Sequence, residues 1–285
     1  MSNERDSAPD DVLEAGERSR LQDRQGTERS DSLTLRELPL ARIAHELRAP
    51  LNRISGFLDL LLAEEEAAGA VIPTSSGLSL QSRDYLQRAR VGSEQLYLLL
   101  ENLLCWLRAA SGQLHLSSDV IAVEELVEST VEELEYTARL RQLRIETRFA
   151  RELLAPYRRI RTDSQRARHI LRNVLANACT YTPIGGRITI EAAVASLPSG
   201  LPGLALSIGD SGVGIQPEVL PHIFEPFYRA EPLTDSDQLL ESSGSGLGLG
   251  LSVAHLLVER LGGTIAVQSA PGVGTTVSLT LPTLT

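Results

Sequence analysis

Seven apolar residues, Leu40, Ile43, Leu47, Leu51, Ile54, Leu58 and Leu61, recur at spacings of three and four. That period places them on one face of an α-helix and fits no strand. The stretch GAVIPTSSGLSLQS (69–82) breaks it with Gly, Pro and Ser. A second stripe follows from about Ser82 to Ala110, through Leu86, Ala89, Leu96, Leu100, Leu103 and Leu107. Residues 35–114 therefore read as a helical hairpin. A lone hairpin covers only part of two long stripes, so two copies are expected to pair into a four-helix bundle, a homodimer.

The chain changes character on either side. Residues 1–34 hold 9 acids and 5 Arg with few aliphatics. Such a leader cannot bury enough to offset its ordering entropy and reads as disordered, with a short helix over 10–23 as the alternative. Residues 115–285 carry short β-branched runs at 143–149, 158–162, 187–194, 204–210, 264–269 and 275–281. Helical patterns lie between them at about 122–142, 164–180 and 250–261, and PGVG (271–274) turns a closing hairpin. Strands mixed with helices predict an α/β two-layer sandwich.

Charge and composition remove several functions. All 27 basic residues are Arg, which excludes Schiff-base chemistry and the Lys of a Walker loop. A net charge of −10 argues against nucleic acid and anionic membranes as partners. Most of it lies outside the hairpin, which is close to neutral with 8 Arg against 9 acids. The most apolar run, Leu96 to Leu107, has 12 residues and contains Glu101 and Asn102, too short and too polar to span a bilayer. With no signal sequence and two Cys, a reducing cytoplasmic location is expected.

Four segments can carry chemistry. In HELRAPLN, His45 sits two residues after Ile43, nearly opposite the stripe, so its imidazole is expected to face water. Glu46 can accept the Nδ1 proton and sharpen Nε2 as a nucleophile. Pro50 has no N–H for the Glu46 carbonyl and should loosen the helix there. In HILRNVLANACTYTP (169–183), Asn173 and Asn177 share a helix face, and a carboxamide oxygen suits Mg²⁺ already holding phosphates. In IGDSGVGI (208–215), Asp210 ends a strand, and Gly212 and Gly214 let the backbone approach a flat ligand; the carboxylate can accept from an adenine amine. In GSGLGLGL (244–251), Gly244, Gly246, Gly248 and Gly250 run straight into an amphipathic helix and offer N–H groups to phosphates. Between the last two, Phe224 and Phe227 are expected to anchor the loop 230–243, and Arg229 can neutralise charge on a transferring phosphoryl group.

Together these segments, in this order, resemble two-component sensor histidine kinases: the phosphoacceptor box, then the N, G1, F and G2 boxes of the ATP-binding domain. The wider ATPase family includes gyrase, Hsp90 and MutL. The resemblance covers about residues 36–283. It implies a dimerisation and histidine-phosphotransfer hairpin, followed by a Bergerat-type α/β sandwich at 115–285 that uses ATP and Mg²⁺. By the same likeness His45 is the phosphoacceptor, Asn177 the Mg²⁺ ligand and Asp210 the adenine reader. Asn173, Tyr181, Gly212, Gly214, Phe224 and the run Gly246, Leu247, Gly248, Leu249, Gly250 surround the nucleotide. The partner implied is a response-regulator receiver domain, with a separate sensory partner protein as one source of input, since no sensor domain is recognisable.

Relatives that hydrolyse ATP carry a Glu four residues before the Mg-binding Asn. Here that place is Asn173, which cannot act as a base near neutral pH and favours a kinase over an ATPase. Three further positions qualify the likeness. Thr180 stands where many members have Lys, which leaves open a degenerate kinase that only binds nucleotide or a partner. Ala49 stands where members with phosphatase activity carry Thr or Asn, so weak phosphatase activity is implied. Cys179, beside the expected nucleotide, reads as a packing residue with a redox switch as the alternative.

Overall fold

The computed structural model describes residues 40–67, 79–154, 159–197, 200, 202–230 and 246–283. The leader 1–34, the turn 69–78 and most of the loop 230–243 lie outside the described residues.

The hairpin forms as its periodicity requires. Helix α1 spans Leu40–Ala67 and continues through Pro50, while α2 spans Leu80–Ala110. Ser79 caps α2, its Oγ accepting from the Ser82 amide at 2.9 Å and satisfying one orphan donor of the first turn. The helices approach closely beside Pro50. A Cβ on Gly92 would stand 3.0 Å from Ile54 Cγ1 and 3.2 Å from the Pro50 carbonyl oxygen. A side chain there would force Ile54 or the Pro50 carbonyl to shift by a few tenths of an ångström. Gly92→Leu is expected to cost about 1–3 kcal/mol through overpacking, read as a lowered denaturation midpoint. An unchanged midpoint would mean that the helices do not touch there.

Much of the hairpin's apolar surface is uncovered in a single chain. Leu51, Leu58, Leu60, Leu62, Leu100 and Leu104 are 40–56% exposed, whereas Ile43, Leu99, Cys105 and Trp106 are buried. The buried set faces the second half of the chain.

That half starts with β1 (Asp119–Ala122) and α3 (Val123–Leu140), followed by β2 (Arg144–Phe149), β3 (Arg159–Thr162) and α4 (Ser164–Tyr181). It closes with β4 (Arg187–Ser196), β5 (Pro202–Asp210), α5 (Gly250–Arg260), β6 (Thr264–Ala270) and β7 (Gly274–Pro282). Five strands form one mixed sheet in the order β2-β4-β5-β7-β6, in which only β2 and β4 run parallel. Period-two alternation sends Ile188, Ile190 and Ala192 of β4, Leu204, Leu206 and Ile208 of β5, and Leu279 and Leu281 of β7 to one buried face. Helix residues Leu126, Ile170, Val174, Val253 and Leu257 are buried with them in the same core. This is the two-layer α/β arrangement. Each buried aliphatic side chain contributes roughly 1.5–3 kcal/mol relative to exposure.

Strand β1 was not expected from the sequence. It pairs antiparallel with β3 in a separate two-stranded ladder, from Asp119 opposite Thr162 to Ala122 opposite Arg159. Nearby, Asp163 caps α4 by accepting from the Arg166 amide at 2.9 Å. Its other oxygen accepts from the Ser117 amide at 2.7 Å. One buried carboxylate thus starts α4 and pins the connection from the hairpin.

Candidate functional site

Helix α4, the end of β5 and the glycine run before α5 converge on a cavity of about 1740 Å³. Asn173, Asn177, Tyr181, Asp210, Gly214, Arg229 and residues 246–250 all line it. A Cβ on Gly250 would lie 3.4 Å from Asn173 Oδ1 and 3.8 Å from Asn177 Nδ2, so α5 begins against both carboxamides. The first amides of α5 have no intrahelical partner, and the helix dipole is positive there. Leu247 and Leu249, each 1% exposed, anchor the run in the core.

At the opposite side Asp210 Oδ1 accepts from the Gly212 amide at 2.8 Å and from the Thr275 amide at 3.3 Å. Burial pushes its carboxyl above the usual range, and the two amide donors oppose that rise. The neighbouring glycines serve the chain's own packing. A Cβ on Gly212 would meet the Tyr181 carbonyl oxygen at 2.6 Å, and one on Gly214 would meet that of Ala270 at 2.0 Å. Both glycines, expected to admit a flat ligand, are already required by the protein's own backbone. Tyr181 is 40% exposed at the cavity, and its carbonyl accepts from the Val213 amide at 3.2 Å.

Helix α1, which carries His45, lies beside this cavity without lining it. His45 is exposed, as its helix position requires, and Glu46 is buried. Glu46 does not turn to His45. Its Oε1 accepts from Arg229 Nη1 at 3.3 Å, and its Oε2 has no hydrogen-bond partner among the described residues. The cause is electrostatic: a charged guanidinium is a stronger hydrogen-bond donor to a buried carboxylate than an imidazole N–H that faces water. The same Arg229 nitrogen donates to the Gly246 carbonyl at 3.2 Å, so Arg229 joins α1 to the glycine run.

A second tie runs through Phe227. Arg42 Nη1 donates to its carbonyl at 2.9 Å, and its ring meets Trp106 edge-on at 5.3 Å. Phe227 is held at φ +64°, with its amide donating to the Gly248 carbonyl at 3.0 Å. Phe224 differs from expectation. It stacks on His255 of α5 at 4.7 Å and is not among the residues lining the cavity.

The third tie was not read from the sequence at all. Asn102 Nδ2 donates to Asn173 Oδ1 at 2.8 Å, and Asn173 Nδ2 donates back to Asn102 Oδ1 at 2.9 Å. His169 Nε2 lies 2.7 Å from the same Asn102 oxygen and must donate, because that oxygen only accepts. The three residues are 2–4% exposed. At the rim Glu101 pairs with Arg172, whose guanidinium also lies over the Tyr97 ring. The one hint in the sequence was that Glu101 and Asn102 interrupt an otherwise apolar run.

Burial lowers the His169 pKa from 6.5 to about 4; Glu101 opposes the shift, and Arg172 and Arg166 add to it. The folded state thus binds fewer protons than the unfolded state between those values. The stability tied to neutral His169 is full above pH 6.5 and is lost as pH falls toward about 4. His169→Gln, which keeps a donor but cannot titrate, is expected to flatten the fall in melting temperature over this window. Identical pH profiles for the two proteins would contradict the buried neutral imidazole.

Two qualified positions are also placed. Thr180 Oγ1 donates back to the Ala176 carbonyl at 2.9 Å, so it supplies no charge. Burial pushes the Cys179 thiol up to about 12, with Arg141 pulling slightly the other way, which fits a packing residue.

Known proteins agree with this geometry. Residues 36–112 match the His Kinase A (phospho-acceptor) domain, and residues 162–285 match the histidine kinase-, DNA gyrase B- and HSP90-like ATPase family. Histidine protein kinase DivJ of Caulobacter vibrioides is 30% identical over 251 residues, covering 86% of this chain and 37% of that protein. The structure of full-length ShkA in complex with AMPPNP shares 25% identity and a TM-score of 0.55, over 86% of this chain and 46% of that one. Histidine kinase ThkA in complex with response regulator protein TrrA has a similar fold, with 20% identity and a TM-score of 0.54 over 92% of this chain and 66% of that one. The chain spans 26–42% of the length of the first curated relatives it matches. Among the described residues no helix is long and apolar enough to cross a membrane. With its phospho-acceptor region preceding its ATPase region, the chain belongs to the histidine kinase family.

Proposed function

We propose that this chain catalyses ATP-dependent phosphorylation of its own His45 and passes the phosphoryl group to an Asp of a response-regulator receiver domain. The observation that carries this reading is the convergence of Asn173, Asn177, Asp210 and residues 246–250 on one cavity, with the helix bearing His45 tied to its rim through Arg229.

The residues fit the substrate. Asp210 offers an oriented carboxylate to the adenine amine, and the α5 N-terminus offers amides to the phosphates. The carboxamides of Asn173 and Asn177 supply neutral oxygen donors of the kind Mg²⁺ takes when it also holds phosphates. Bound there, Mg²⁺ would neutralise phosphate charge. Asn177 is the better placed of the two to hold it, because Asn173 is paired elsewhere.

In the transfer, His45 Nε2 forms a bond to the γ-phosphorus, and the bond from that phosphorus to the bridging oxygen of ADP breaks. The Nδ1 proton passes to Glu46, which must first leave Arg229. Arg229, no longer paired with Glu46 and still beside the glycine run, would then face the phosphoryl group. The hairpin 35–114 and the sandwich 115–285 act as the two domains, following the leader 1–34. The exposed leucines of α1 and α2 are the surface for homodimerisation. A cytoplasmic site of action suits two buried free thiols. Thr180, which brings no cation, favours the rival reading of a degenerate module that binds nucleotide without transfer.

The test is incubation with γ-labelled ATP, then with a receiver-domain protein. Protein-bound label that resists base, is lost in acid and moves to the receiver supports a kinase. Nucleotide binding with no label supports the degenerate module.

A further inference from the structure

The Asn102–Asn173 pair sets a residue of the hairpin against a residue of the nucleotide site. Both ends of the Asn173 carboxamide are engaged, its oxygen by Asn102 Nδ2 and its nitrogen by Asn102 Oδ1. His169 fixes the Asn102 oxygen from the other side. All three side chains are 2–4% exposed, so each bond is costly to break without a replacement. Asn173 also borders Gly250, where the phosphate-binding amides begin. Each end of the Asn173 carboxamide keeps a second lone pair or N–H, but the two bonds to Asn102 fix its plane and direction, so it cannot turn toward Mg-nucleotide while the pair is closed.

We propose that Asn102 is a positioning residue that competes with Mg-nucleotide for Asn173. While the pair is closed, α2 is docked on α4 and the nucleotide site lacks one of its polar groups. When it opens, Asn173 turns to the nucleotide and α2 is freed. Movement of the hairpin and occupancy of the ATP site are thereby coupled in both directions, as linkage requires. The apparent affinity is the intrinsic one reduced by the fraction of molecules in the open state. The proposal rests on the reading of this cavity as a nucleotide site.

The experiment is a double-mutant cycle in the full chain, with Mg-AMPPNP binding as the readout. Asn102→Ala is expected to tighten binding about tenfold, equivalent to about 1.4 kcal/mol. In an Asn173→Ala background the same change is expected to bring no gain. Asn102→Leu, close in volume and unable to hydrogen-bond, is expected to behave as Asn102→Ala does and guards against a folding defect in the smaller variant. Equal tightening in both backgrounds would mean that general loosening of the docked helix is at work, and would overturn the proposal. No tightening in either would also overturn it, while leaving the nucleotide site intact. Failure of wild type and every variant to bind the analogue would overturn the nucleotide reading and the proposal with it.

Discussion

Gly214→Ala is expected to be among the most destabilising single substitutions in the chain, with a loss of about 3–5 kcal/mol. Two costs add. Gly214 sits at φ +71°, where a Cβ is strained against its own carbonyl by roughly 1–2 kcal/mol. The same Cβ would then lie 2.0 Å from the Ala270 carbonyl oxygen and 2.6 Å from its carbon. Backbone cannot swing away as a flexible side chain can, so the β6–β7 turn must move. That turn is fastened on both sides, by Gly272 N donating to the Val213 carbonyl at 2.8 Å and Ile215 N donating to Ser269 Oγ at 2.8 Å. Its displacement carries Thr275 away from Asp210, so nucleotide affinity should fall with stability. For a domain of this size the melting temperature is expected to drop by about 10 °C. Gly246→Ala is the control. Among the described residues nothing lies within 4 Å of its Cβ position, and a change within about 0.5 kcal/mol is expected. Equal melting of the two variants would show that the turn is not packed as described.

The local signals were strong where one period or one turn decided the outcome. The two apolar stripes became α1 and α2, and six β-branched runs became strands within two residues of their expected bounds. Strand β1 escaped because four residues with a single buried position, Ile121, carry no detectable alternation. The site was legible in its parts. Asn177, Asp210 and the glycine run lie on one cavity because each ends or begins an element of the same sheet-and-helix layer.

What the sequence concealed was every contact between the two halves. Asn102 and Asn173 stand 71 positions apart, and Glu46 and Arg229 stand 183 apart. No spacing rule connects such pairs. The expectation that Glu46 serves His45 was a nearest-neighbour inference, and a distant cation displaced it. Glu101 and Asn102 had served only to rule out a membrane span. In the folded chain they are the polar spots at which an apolar helix meets the nucleotide domain.

Glu46, the residue suited to take the imidazole proton, is held by Arg229, the residue suited to stabilise the phosphoryl group. Asn173 is held by Asn102. Each restraint joins a hairpin residue to a site residue, so one displacement of the nucleotide domain from the hairpin would open both.

His45→Gln is expected to remove all phosphorylation while leaving the fold unchanged. The imidazole is exposed, and Gln suits a helix interior, so stability should stay within about 0.5 kcal/mol of wild type. Gln offers no nucleophilic nitrogen, so the loss of transfer should be complete rather than partial. The cavity lining does not include position 45, so Mg-AMPPNP binding should be retained. The decisive measurement is therefore the label taken from γ-labelled ATP by wild type and by His45→Gln, with nucleotide binding checked in both. The account requires acid-labile, base-stable label on wild type and none on the variant, at equal nucleotide affinity. Label of the same amount on His45→Gln would contradict it.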